Sequence, residues 1–194
     1  MKELMEINTA GYLENVRFIP SPNYDERPPG CDISLLVIHN ISLPPNKFDG
    51  NSVIELFTNQ LDPQAHPYFE SLRDLRVSSH FFIRRDGEII QFVPCMLRAW
   101  HAGVSNWQGK ERCNDFSIGI ELEGSDALPF EPIQYDQLIA LTISLLKAYP
   151  ITDIAGHADI APTRKTDPGP YFDWGRYHRG FSSDDIHQHV QVGR

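Results

Sequence analysis

Apolar positions along the chain fall into segments of two periods. Ser34-Leu35-Leu36-Val37-Ile38-His39 is apolar on both faces, which predicts a central strand covered from both sides, with His39 at its C-terminal end. Residues 117–123 alternate: Ile118, Ile120 and Leu122 share one face, and Gly119, Glu121 and Glu123 share the other. Residues 80–85 and 88–93 are rich in strand formers and flank Asp86-Gly87, a hairpin signal. From 132 to 149 the period changes. Tyr135, Leu138, Ile139, Thr142, Leu145, Leu146 and Tyr149 recur at helical spacing, and Pro150 closes the helix. A short helix is predicted over 52–57, a further strand over 153–157, and another short helix starting at Asp173. Strands and helices interleave, so the fold class is α/β: a single domain over 1–194, with a mixed central β-sheet flanked by helices. The segment 182–194 reads as a polar C-terminal tail.

Composition narrows the function classes. The chain has 194 residues, 41% hydrophobic and 22% charged, ordinary values for a folded globular chain. Its formal net charge of −9 opposes binding to a phosphate backbone, so no nucleic-acid partner is expected. The three cysteines, Cys31, Cys95 and Cys113, are too few for a disulfide framework and fit a reducing compartment. The first eight residues include acidic side chains and no apolar signal core, and no apolar run has the length of a membrane span. The expectation is a cytoplasmic protein with no membrane partner and no obligate protein partner.

The chemistry concentrates around histidines. His39 and His157 each close an apolar strand, and Asp167 lies in a Pro/Gly-rich loop ten residues after His157, held extended by Pro168. Two imidazoles and one carboxylate are a known ligand set for catalytic zinc, which keeps a fourth position open. On spacing alone, buried structural histidines are the competing reading.

Four segments in order carry more weight: Leu36-Val37-Ile38-His39-Asn40, Ala99-Trp100-His101-Ala102-Gly103, Ser117-Ile118-Gly119-Ile120-Glu121-Leu122-Glu123-Gly124 and Arg164-Lys165-Thr166-Asp167-Pro168-Gly169-Pro170. Together they resemble the N-acetylmuramoyl-L-alanine amidase family, which includes the peptidoglycan-recognition proteins. The segments 37–45, 62–69 and 109–117 are similar to its cytoplasmic subgroup, which acts on anhydro-muramyl peptides. The likeness spans about residues 17–178. It implies a peptidoglycan-recognition-protein-like fold and one Zn2+ ion on His39, His157 and Asp167. It implies Glu121 as the residue that handles the proton of water, and Lys165 as support for the oxyanion. The implied substrate is a small muropeptide, cut between the lactyl group of muramic acid and L-alanine during peptidoglycan recycling. Peptide carboxylates make Arg112 a candidate binding residue, because a guanidinium offers a bidentate fork. Asn40, Trp100 and His101 are further candidate cleft residues.

Three other readings compete. A non-catalytic peptidoglycan-binding module would lack a zinc ligand, and here all three positions are filled. An amidase acting on intact wall would use the same chemistry in another compartment. A cysteine-dependent hydrolase would need a histidine-based triad, and none is evident around Cys113; His80 reads as a structural or supporting histidine.

Overall fold

The computed structural model of the chain describes residues 5–48, 50–182 and 191–192. Strands β1 (Arg17–Phe18), β2 (Tyr24–Asp25) and β3 (Leu35–Ile41) precede helix α1 (Ser52–Phe57) and a 3-10 helix at Pro67–Leu72. Strands β4 (Phe81–Ile83), β5 (Ile89–Gln91), β6 (Arg98–Ala99), β7 (Asn106–Trp107), β8 (Lys110–Glu111) and β9 (Ser117–Glu123) follow. Helix α2 (Pro132–Ala148), β10 (Asp153–Gly156), α3 (His157–Ile160), α4 (Trp174–Arg179) and β11 (Gln191–Val192) complete the chain.

The main sheet has seven strands in the order β1-β5-β4-β9-β3-β10-β11. It is mixed: β4 and β5 form the antiparallel hairpin around Asp86-Gly87, and the remaining neighbours run parallel. The longest pairing joins β3 and β9, with Leu35 opposite Ser117 and His39 opposite Glu121. Both strands are flanked on each side, which is why their side chains are buried almost throughout.

Alternation along these strands separates two cores. Leu36, Ile38, Ile118, Ile120, Leu122 and Ile154 pack with Leu138, Leu141 and Leu145 of α2 and with Tyr177 of α4. Each such fully buried side chain contributes about 1.5–3 kcal/mol relative to exposure. The start of α2 is tied to the sheet through Gln134. Its Oε1 accepts the Glu131 N–H at 3.0 Å, and its Nε2 donates to the carbonyls of Glu123 and Ile83 at 3.0 and 3.2 Å. On the opposite face, Phe82 and Ile90 pack with Val53, Leu56 and Phe57 of α1. Leu35, Val37 and Ala155 pack there with Phe116, Cys113 and Ile160.

Several expected boundaries move. β3 continues two residues past His39, because its pairing with β9 runs on through Asn40 and Ile41. His157 does not end a strand: β10 stops at Gly156, whose N–H is captured by the Asp159 carboxylate at 2.7 Å, and His157 opens α3. The short helix near Asp173 is present as α4, with the Asp173 side chain accepting the Arg176 N–H. Of the expected polar tail, residues 183–190 and 193–194, with His187 and His189, lie outside the described residues. Gln191–Val192 adds an edge strand beside β10.

Candidate metal centre

The site follows from strand parity and register. His39 and Glu121 share the parity of Leu35, Val37, Ser117 and Gly119, so both side chains leave the face opposite α2, on adjacent parallel strands. β10 lies on the other side of β3, and the turn after Gly156 delivers His157 to the same face. Asp167 arrives on the loop after α3, where its carbonyl accepts the Ala158 N–H at 2.8 Å. Asn40 braces that loop, its Nδ2 donating to the Asp126 carboxylate at 2.8 Å and to the Pro168 carbonyl at 3.0 Å. Gly169 has φ +84°, and a Cβ there would stand 2.2 Å from Asp126 Oδ1, so a glycine is required for this approach.

His39 Nδ1 and His157 Nδ1 are 2.9 Å apart, and each lies 3.0 Å from Asp167 Oδ2. The outer ring nitrogens assign the protons. His157 Nε2–H donates to the Ala102 carbonyl at 3.1 Å, and His39 Nε2 lies 2.9 Å from His101 Nδ1. With His39 Nε2–H donating to His101, a neutral His39 turns a lone pair toward Asp167, as His157 does. Three electron-pair donors then face one point with no proton among them. This arrangement fits a cation and repels itself without one. Burial pushes the His39 pKa down to about 4, so the ring is neutral at pH 7. Two neutral imidazoles, one carboxylate and an open side are the donor set of a catalytic zinc site. Among the described residues, these three are the group of His, Cys, Asp and Glu placed to hold a metal ion.

Glu121 stands beside them, its Oε1 4.0 Å from His39 Nδ1. Its Oε2 is buried with no hydrogen-bond partner among the described residues. Burial, and secondarily the Asp167 charge, push its pKa well above the usual carboxylate value, while the Lys165 charge pulls the other way. A cleft of about 790 Å³ opens over the site and is lined by Asn40, Trp100, His101, Glu121, His157, Lys165 and Asp167, with His39 buried behind them. That volume suits a drug-sized ligand.

The structure therefore brings eight of the nine sequence-derived residues to one site: seven line the cleft, and His39 is buried behind it against His157 and Asp167. Arg112 is the exception: it is neither in the cleft lining nor in contact with the metal-facing group. It adopts a left-handed conformation (φ 60°) at the start of the 113–115 turn, is 70% exposed, and pairs with Asp115 at 3.3 Å. His101 lines the cleft, yet both its ring nitrogens are committed inward, to His39 and to Ser117 Oγ at 3.2 Å. Sequence reasoning missed Asn114, Ser117, Asp126 and Arg164. It also missed Arg27, whose half-buried guanidinium donates to the carbonyls of Cys95, Asn114, Asp115 and Ser117. Asn114, Arg164 and Arg27 act by binding backbone groups, and Ser117 and Asp126 by binding the side chains of His101 and Asn40; such contacts leave no periodic signal. His80 is structural, as expected: its Nδ1 accepts the Gly119 N–H. Burial raises the Cys113 thiol, as befits an ordinary core cysteine. Among the described residues, no helix is long and apolar enough to cross a membrane.

A family model described as N-acetylmuramoyl-L-alanine amidase matches residues 29–170. The chain is 59% identical over 169 residues to the 1,6-anhydro-N-acetylmuramyl-L-alanine amidase AmpD of Escherichia coli, covering 86% of this chain and 92% of the relative. A crystal structure of a Se-Met AmpD derivative aligns with TM-score 0.87 and 57% identity, over 89% of this chain and 98% of that one. The E. coli amidase AmiD was solved in complex with the substrate anhydro-N-acetylmuramic acid-L-Ala-D-gamma-Glu-L-Lys. It aligns with TM-score 0.57 and 32% identity, over 92% of this chain and 66% of that one.

Proposed function

The chain belongs to the N-acetylmuramoyl-L-alanine amidase family, and from that premise we propose that it is a zinc-dependent enzyme of cytoplasmic peptidoglycan recycling. The reaction is hydrolysis of the amide between the lactyl group of (1,6-anhydro)-N-acetylmuramic acid and L-alanine in small muropeptides. The observation that carries the reading is the convergence of His39 Nδ1, His157 Nδ1 and Asp167 Oδ2 beside the unpartnered Glu121 carboxyl, at the base of an open cleft.

Zinc, held by His39, His157 and Asp167, would supply Lewis acidity that acidifies water and polarises a carbonyl. Glu121 takes the proton of the attacking water and returns it to the departing amine of L-alanine. Its second oxygen has no partner among the described residues, which leaves it for that exchange. Lys165 shares the cleft, and its positive charge bears on both His39 and Glu121. There it favours the ionised form of Glu121 and stabilises negative charge developing on the carbonyl oxygen. Asn40 holds the loop that carries Asp167, and Trp100 offers the cleft a flat face for sugar or stem.

The test is mass spectrometry of an anhydro-muramyl tripeptide incubated with zinc-loaded protein, beside a chelated sample. Release of free tripeptide only with zinc supports the reading. No release in either sample, with zinc shown to be bound, would overturn it in favour of a binding module or an amidase of intact wall.

A further inference from the structure

Both metal-facing histidines lean on the same two residues. His39 Nε2 meets the ring of His101 at 2.9 Å, and His157 Nε2–H donates to the carbonyl of the next residue, Ala102, at 3.1 Å. The pair is itself fastened at one point: the amides of His101 and Ala102 both donate to Asn114 Oδ1, at 3.1 and 2.8 Å. Arg164 Nη2 adds a second donor to the Ala102 carbonyl at 2.6 Å, and Ser78 Oγ accepts the Trp100 N–H just upstream at 3.0 Å. The His101 ring has no room to shift toward β9, since a Cβ on Gly119 would stand 2.4 Å from its Cγ.

We infer that residues 101–102, pinned by Asn114, form one bracket that orients both histidines of the metal centre and fixes the tautomer of His39. The inference rests on the zinc reading above. His39 Nε2–H donates to His101 Nδ1, and His101 Nε2–H donates in turn to Ser117 Oγ at 3.2 Å. This direction leaves His39 Nδ1 with the lone pair that a metal needs. His101 and Asn114 are thus positioning residues. Their effect on the reaction passes through His39 and His157, and neither ring nitrogen of His101 is left for a substrate. Outer partners of this kind commonly change metal affinity by about 10–100-fold when removed.

The experiment uses the full chain and two readouts besides turnover: zinc affinity by competition with a chelator of known strength, and nitrogen NMR of the histidine rings, which reports tautomers. His101→Leu is expected to weaken zinc binding by about 10–100-fold. At saturating zinc it should lower kcat with little change in KM. His101→Asn keeps an acceptor for His39 and should recover most of the affinity. Asn114→Leu should weaken zinc while His101 is still present, and Gly119→Ala should do the same by displacing the ring without removing a nitrogen. Unchanged zinc affinity in His101→Leu would overturn the inference. If that variant fails to fold, the zinc-loaded wild-type spectrum decides: a His39 ring without a proton on Nε2 overturns it. A wild-type chain that binds no zinc at all would instead remove the metal reading beneath it.

Discussion

Asparagine in place of His80 should flatten the acid side of the stability profile. The His80 ring is fully buried; its Nδ1 accepts the Gly119 N–H and its Nε2–H donates to the Leu97 carbonyl, each at 3.0 Å. Burial foremost, then the Arg27 guanidinium 3.2 Å away, hold its pKa down to about 3, with the Leu97 carbonyl opposing them. The His101 ring also lies near it, edge-on at 5.8 Å. Adding a proton to Nδ1 would set a donor against the Gly119 donor. In the unfolded chain the ring titrates near its ordinary 6.5. Below that value the unfolded state binds a proton that the folded state refuses, so stability is lost as pH falls from 6.5 toward 3. Between pH 7 and pH 5 the loss from this one group is about 2 kcal/mol. The asparagine variant keeps an acceptor for Gly119 but does not titrate. At pH 7 it should be less stable than wild type by about 1–3 kcal/mol, through the lost donor to Leu97. Urea unfolding of both proteins in zinc-containing buffer between pH 7 and pH 5 measures the gap. It should shift in the variant's favour by about 2 kcal/mol across that range. Parallel profiles, with a gap independent of pH, would refute the reasoning.

Glu121→Gln should keep zinc and lower kcat by about 10²–10⁴-fold, read by metal analysis beside steady-state kinetics. Near-normal turnover would take Glu121 out of the mechanism. Lys165→Met should lower kcat by about 10²-fold with little change in KM; an effect confined to KM would place Lys165 in ground-state binding. Tyr177→Phe removes a buried 2.7 Å contact with the Thr142 hydroxyl, and should lower unfolding free energy by about 1–2 kcal/mol without altering kcat. An unchanged urea midpoint would show that the contact adds nothing net.

Much of the site was legible because its residues interrupt strong patterns. His39 follows four apolar residues, and Glu121 alternates against Ile118, Ile120 and Leu122, so each stands out as polar chemistry in a buried strand. The order of strands was not legible, since nothing local records that β3 lies between β9 and β10. The end of β10 was misplaced because a side-chain contact, Asp159 to the Gly156 amide, ends it before the apolar pattern does. Arg112 was placed near substrate on its chemistry alone. The structure pairs it with Asp115 from a left-handed backbone and does not place it in the cleft lining, a local conformation that residue type does not carry. His101 was read as a cleft residue, and it does line the cleft. Its environment is set by residues distant in sequence, His39 and Ser117, and both take its nitrogens.

The same alternation that builds the core aims the chemistry. Leu36, Ile38, Ile118, Ile120 and Leu122 must face α2 to bury their side chains, and this commits His39 and Glu121 to the opposite face. Parallel register then sets the two side by side. A slip of one residue in β9 would turn Glu121 into the apolar layer against α2, where its carboxyl would have neither water nor Lys165. It would also turn Ile118 and Ile120 toward the cleft and break the hydrogen bonds that Gly119 and Ser117 make with His80 and Arg27. The cost falls on apolar burial and on buried polar groups together, so the hydrophobic pattern that selects the fold also protects the geometry of the site. What alternation cannot supply is the distance and ring orientation of the two imidazoles. Those fall to the contacts at residues 101, 102 and 114, outside the strands and α-helices, where the folded chain has to meet itself across more than fifty residues of sequence, His39 to His101 and Ala102 to His157.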